Sequence, residues 1–85
     1  MLETHVDILR ALHQQGPLRL TRLMYMANLN FKVLKQHLNL LIQRNLVKEQ
    51  TPKKDKGVYS ITEEGRKALT YHKQLDNAFK MTAGA

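Results

Sequence analysis

"MANLNFKVLKQHLNLLIQ", residues 26–43, places a short turn in front of a helix with two unlike faces. Leu34, Leu38, Leu41 and Ile42 recur at the spacing of one apolar stripe, while Lys32, Lys35, Gln36, Asn39 and Gln43 share the opposite side. Asn28 and Leu29 turn the chain. Asn30 is then a favourable cap, its side-chain oxygen placed to accept from an orphan N–H of the first turn. The helix runs to about Arg44, and Asn45 follows as a left-handed end residue where Gly would be more usual. A helix that is apolar on one side only must pack that side on something, and its polar side is left free for another task.

Leu20, Leu23, Met24 and Ala27 mark a short helix just before the turn, and "PLRL" ahead of it is a short extended link. Through residues 3–15, Val6, Leu9 and Leu12 recur at helical spacing, with Leu2 and His13 on their flanks. Gly16 supplies a left-handed cap to that helix and Pro17 prevents its continuation. Downstream, "LVKEQ" (46–50) and "VYSI" (58–61) alternate as strands around "TPKKDKG", a turn rich in Pro, Asp and Gly, so they form a hairpin. Thr62 caps a last helix whose first turn carries Glu63 and Glu64, where negative charge complements the dipole, and which continues to about Met81. The terminal "TAGA" is expected to fray.

The resulting order is helix, short strand, helix, turn, helix, strand, basic hairpin, strand, helix. It predicts a mainly α fold with a small β-hairpin (α+β), a winged helix-turn-helix with an extra C-terminal helix. Residues 1–65 would form the DNA-binding unit and residues 66–85 a dimerisation helix. In this architecture the third helix enters the major groove with its free side and the hairpin lies along the phosphates.

Charge supports that placement. The chain of 85 residues carries a formal charge of +7. Between residues 19 and 56 nine basic residues face only Glu49 and Asp55, and elsewhere the two signs balance, so the whole excess lies in the middle segment. Such segregation is the footprint of a polyanion binder, because neutralised phosphates release condensed counterions. The longest apolar run, Leu23 to Ala27, is far below the roughly 18 residues of a membrane span, and "MLETHVDILRALHQ" lacks the basic start and apolar block of a signal peptide. A cytoplasmic, nucleoid-associated protein is expected, with no membrane partner. Without cysteine there is no disulfide, thiolate metal site or thiol nucleophile.

"ILRAL", then "GPLRLTRLMYMANLNFKVLKQHLNLLIQRNLV", a basic turn, and "YSITEEGRKAL" resemble the archaeal winged-helix transcription-regulator family, which includes small chromatin proteins that dimerise through a C-terminal helix. The resemblance covers about residues 6–70. It implies sequence-directed or architectural DNA binding by a homodimer. Two departures stand out: Arg19 occupies a position where the second helix often has a Ser or Thr cap, and the final helix is much shorter than the coiled-coil helix of the chromatin proteins.

Lys32, Lys35, Gln36 and Asn39 therefore form the expected groove-reading set, since Gln and Asn can bond adenine edges bidentately and Lys reaches guanine acceptors or phosphates. Asn30 is a cap that can also touch a phosphate. Arg19 and Arg22, at the start of the second helix, and Lys53, Lys54 and Lys56, at the hairpin tip, are expected to hold the backbone and fix register. Phe31, Tyr25 and Tyr59 read as core residues. Ala68, His72, Leu75 and Phe79, spaced four, three and four, line a stripe that the small core cannot cover, and predict a homodimer through residues 66–81.

His5, His13, His37 and His72 make no metal motif, the four glycines form no phosphate-cradling loop, and no nucleophile, base and orienter arrangement suggests an enzyme. His37 reads as a partly buried packing residue and His72 as an interface or surface one. No cofactor and no small-molecule ligand are expected. The alternative function is a winged-helix protein-interaction module that turns the basic face to an acidic partner, since winged helices do both jobs. RNA binding lacks the aromatic-rich exposed sheet that stacks bases.

Overall fold

The computed structural model describes residues 3–50 and 57–83, with side chains as far as Phe79. Leu2, the hairpin tip with Lys53, Lys54 and Lys56, and the last two residues lie outside the described residues. The chain runs α1 (Glu3–Gln15), β1 (Leu18–Arg19), α2 (Leu20–Ala27), α3 (Phe31–Gln43), β2 (Val47–Gln50), β3 (Val58–Ile61) and α4 (Glu63–Ala83). This is the winged helix-turn-helix order read from the sequence. The helix α4 includes Thr82 and Ala83, two residues of the terminal stretch expected to fray.

Each boundary has a local cause. Gly16 sits at φ 82° and its N–H returns to the Leu12 carbonyl at 3.0 Å, closing α1 before Pro17. Arg19 starts α2 from an extended conformation with no side-chain cap, and Asn28 ends it at φ 55°. The Asn30 side-chain oxygen accepts the Val33 N–H at 2.8 Å, capping α3. At the other end Asn45 turns left-handed at φ 62°, and the Leu46 N–H reaches the Leu41 carbonyl while the Asn45 N–H reaches that of Ile42, both at 2.9 Å. Those are the two bonds of a Schellman ending, made here with Asn in place of Gly. The Thr62 hydroxyl accepts the Gly65 N–H at 2.9 Å and donates to the Asn45 carbonyl at 2.7 Å, so one side chain caps α4 and ties it to the end of α3.

The hairpin gains a third strand. The sheet order is β1-β3-β2, antiparallel throughout, with Leu18 opposite Tyr59 and Val47 opposite Ile61. Its inner face joins the helices in one core of Ile8, Leu9, Leu12, Leu23, Leu34, Leu38, Leu41, Val47 and Tyr59, with Val6 also buried. Gly65 is buried where α4 crosses this sheet: a Cβ there would run into the Leu46 carbonyl oxygen and the Ile61 side chain. Close approach, rather than an unusual φ, is what requires glycine.

Two aromatic assignments are corrected. Tyr59 is core, but Phe31 is 55% and Tyr25 82% exposed. Tyr25 lies two residues beyond the buried Leu23, about 200° round the axis of α2, and so points away from the core. Phe31 is the first residue of α3 and stands one turn ahead of Leu34, where burial of that helix begins.

Candidate nucleic-acid interface

The apolar side of α3 packs Leu34, Leu38 and Leu41 into the core and leaves Lys32, Gln36, Asn39 and Gln43 exposed along the other. Arg19 and Arg22, at the start of α2, and Lys48 on β2 are also exposed. The free polar face expected of α3 is therefore present, with Arg19 and Arg22 exposed on the helix that precedes it in the chain.

Two members of the expected set are already engaged within the protein. The Asn30 carbonyl oxygen is spent on its cap. Lys35 is half-buried, and its ammonium donates to the Tyr59 hydroxyl at 3.0 Å while lying 5.7 Å from the centre of that ring. The Tyr59 hydroxyl in turn donates to Glu49 Oε2 at 3.3 Å. The bond to Tyr59 raises the Lys35 pKa above its ordinary value against the opposing effect of burial, with the Glu49 charge assisting. The chain Lys35, Tyr59, Glu49 thus joins the wing side of α3 to the two strands of the hairpin. Glu49 also rests against Gly57, where a Cβ would meet its Oε2 at 2.9 Å.

Behind the polar face a second polar contact crosses the core. His5 Nε2 and His37 Nδ1 are 2.9 Å apart, with the rings edge to face at 4.9 Å between centroids. One neutral imidazole donates to the other, linking α1 to α3. Burial, then the proximity of His37, of the chain's amino terminus and of Arg44, holds the His5 pKa below its ordinary value. No feature of the sequence announces a pair 32 residues apart, and the histidines taken singly conceal it.

The stripe on α4 divides. Ala68, Leu69 and His72 are half-buried on the side facing the body, and His72 lines a cleft between α1 and α4 with Arg10, His13 and Lys73. From Lys73 to Phe79 every side chain is exposed, because α4 runs on past the body. Leu75, at 52%, and Phe79, at 76%, continue the same stripe, and Tyr71, 63% exposed, joins it although the sequence reading omitted it. Among the described residues no helix is long and apolar enough to cross a membrane, and no group of three or more His, Cys, Asp and Glu is gathered.

The family described as winged helix-turn-helix matches residues 1–81. Among solved structures, the chain is similar to a MarR family transcriptional regulator from Silicibacter pomeroyi, at 19% identity with a TM-score of 0.80, covering 96% of this chain and 56% of that one. It is similar to BpsR of Bordetella bronchiseptica, whose DNA binding is described as regulated by 6-hydroxynicotinic acid, at 16% identity and TM-score 0.82, over 96% of this chain and 59% of that one. It is similar also to Sso10a-2, a DNA-binding protein from Sulfolobus solfataricus, at 26% identity and TM-score 0.78, over 96% of this chain and 83% of that one. The chain thus spans less than two thirds of the first two. Among curated proteins, none matches the sequence.

Proposed function

We propose that this chain, which belongs to the winged helix-turn-helix family, binds double-stranded DNA as a transcription regulator or local chromatin organiser, with no enzymatic activity. The observation that carries the reading is a coincidence of charge and shape. All of the +7 excess lies between residues 19 and 56, and that segment also holds the uncovered polar side of α3. In this reading α3 enters the major groove, where Gln36 and Asn39 meet base edges, and Lys32 reaches guanine acceptors or a phosphate. Arg19, Arg22, Lys53, Lys54 and Lys56 hold the backbone, and Lys35 and Asn30 contact phosphates only by giving up or sharing their present partners. A cytoplasmic, nucleoid-associated place follows from such a role, and the likeness to Sso10a-2 supports an archaeal kinship.

Self-association belongs to the same proposal. The exposed Tyr71, Leu75 and Phe79 form an apolar stripe on a helix that extends beyond its own body, and isologous pairing of two such helices buries it. Two α3 helices would then meet successive major grooves about 34 Å apart.

The test is a titration of random duplex DNA, single-stranded DNA and duplex RNA at two salt concentrations. A dimer that neutralises roughly 6 to 10 phosphates loses about a thousandfold or more in duplex affinity between about 50 and 200 mM salt. A flat salt response, or no duplex binding at low salt, overturns the proposal in favour of an acidic protein partner.

A further inference from the structure

Glu49 is an acid in a stretch that is otherwise basic. Between residues 19 and 56 it stands among nine basic residues with one other acid, Asp55. It lies opposite Tyr59 in the β2–β3 register, so both side chains leave the sheet on the same face, which is also the face of the buried Val47 two residues earlier. The Glu49 Oε2 accepts the Tyr59 hydroxyl at 3.3 Å and rests against Gly57, where a Cβ would meet it at 2.9 Å. The same hydroxyl accepts the Lys35 ammonium at 3.0 Å. That bond raises the Lys35 pKa, burial opposes the rise, and the Glu49 charge adds to it, so the carboxylate is felt at the ammonium. On α3, at about 100° per residue, Lys35 lies about 20° from Ile42 and about 40° from Asn39, at the border between the apolar stripe and the exposed polar side. Turned outward, it would add a second ammonium to the side that carries Lys32. Contacts of exposed charges contribute little to stability, and Glu49 is exposed, so its carboxylate matters more to the field of this surface than to the fold.

We propose that Glu49 is a positioning residue: acting through the Tyr59 hydroxyl, it holds the Lys35 ammonium back from DNA phosphates and so limits the affinity of the chain for duplex of any sequence. The role rests on the DNA binding proposed above and deepens it. A phosphate that approaches Lys35 must take the place of the hydroxyl and come near the carboxylate, and repulsion between the two anions opposes the contact. Phosphate contacts carry no sequence information, so one contact more or less acts on every duplex alike. Glu49 therefore sets the strength of binding, and the amides of Gln36 and Asn39 set its preference.

The experiment uses the full chain, a random-sequence duplex and a duplex that the chain selects from a random library, with affinities measured over a range of salt concentrations. Glu49→Gln keeps the length of the side chain and an acceptor oxygen for Tyr59 and removes only the charge. It is expected to bind both duplexes more tightly than wild type and to steepen the slope of log affinity against log salt by about one, so that its affinity falls about three- to fourfold more than that of wild type between about 50 and 200 mM salt. Lys35→Gln alone is expected to keep the wild-type slope, because the ammonium is already withheld, and Glu49→Gln added to it is expected to change nothing further. Thermal unfolding followed by circular dichroism checks that each variant folds; a carboxylate that served packing alone would move that transition and not the salt slope. Three results overturn the inference and leave the DNA reading standing: an unchanged slope in Glu49→Gln, the same steepening in the Lys35→Gln background, or an effect confined to the selected duplex, which would make Glu49 a base contact. A chain that binds no duplex at low salt overturns the DNA reading, and this inference with it.

Discussion

Replacing Gly65 by Ala sets two effects against each other, and their magnitudes decide the sign. On an open helix the change favours folding by up to about 1 kcal/mol, because glycine has the larger conformational entropy to lose. In α4 the added Cβ meets the Leu46 carbonyl oxygen and the Ile61 side chain. Ile61 can adjust its side chain, but the Leu46 oxygen is backbone and also accepts the Thr62 N–H at 3.1 Å. The start of α4 must then lift from the sheet, which strains that bond and the Thr62 cap on the Gly65 N–H. Overpacking of this kind costs about 1 to 3 kcal/mol and a damaged cap about 1 more, so the net expectation is a loss of about 1 to 3 kcal/mol after the propensity gain. For a domain of this size each kcal/mol moves the midpoint by about 4 to 8 °C, and Tm should fall by roughly 5 to 20 °C. Circular dichroism at 222 nm, as is usual for helices, reads the transition, with protomer concentration held constant because association would shift it. Gly16→Ala is the useful comparison: its Cβ meets nothing within 4 Å, so only the left-handed backbone at φ 82° opposes it, at a cost of about 1 kcal/mol. An unchanged or raised Tm in Gly65→Ala would refute the close crossing of α4 on the hairpin.

Acid should weaken the fold. The His5 pKa is depressed in the folded chain, so the unfolded chain binds the proton more readily; stability is complete above about pH 6.5 and falls as pH drops below it. Thermal midpoints at about pH 8 and about pH 5 should differ in wild type and differ less in His5→Gln, and equal slopes would show that the pair of imidazoles does not matter. Tyr59→Phe keeps the buried ring but removes the hydroxyl between Lys35 and Glu49; a loss of about 1 kcal/mol and a changed salt dependence of DNA binding are expected, and identical salt slopes would detach Lys35 from the interface. Gln36→Ala or Asn39→Ala should cost about 1 to 3 kcal/mol on a preferred site and relax specificity, whereas Lys53→Ala with Lys54→Ala should weaken all sequences alike; equal losses from the helix variants on specific and random DNA would show that α3 does not read bases. Leu75→Glu with Phe79→Glu should yield a monomer with far weaker DNA binding, and sedimentation equilibrium that finds wild type monomeric at tens of micromolar, or the double variant dimeric, rules the α4 interface out.

What was legible in the sequence was local. Gly16, Asn30 and Asn45, and Thr62 in its cap on the Gly65 N–H, act on groups at most five residues away, so these roles follow from neighbours in the chain, whereas the bond from Thr62 to the Asn45 carbonyl does not. Periodicity likewise marks Leu34, Leu38 and Leu41 for burial whatever covers them. What was illegible depended on distant partners. His5 meets His37 across 32 positions and Lys35 meets Tyr59 across 24, and neither residue type announces such a mate. Phe31 and Tyr25 have the composition of core residues, and what distinguishes them from Tyr59, which has β1 on one side and β2 on the other, is that no element covers them among the described residues.

The partners found for Asn30 and Lys35 change how affinity and specificity divide in the proposed complex. With those two engaged, the exposed side of α3 presents one free ammonium, on Lys32, and three neutral amides, on Gln36, Asn39 and Gln43. Amides discriminate between base edges and contribute little counterion release, so α3 is equipped to choose a sequence more than to hold a duplex. The charge that holds must come from around it: from Arg19 and Arg22 on α2, from Lys48 on β2, and from the lysines of the hairpin tip. Affinity is then spread over several elements, of which the hairpin strands are joined to α3 by the Lys35, Tyr59 and Glu49 contacts, and specificity is concentrated on one helix face. Loss of a single peripheral cation should lower the salt slope by about one without altering which sequence is preferred, while loss of one amide should change the preference and leave the slope where it was.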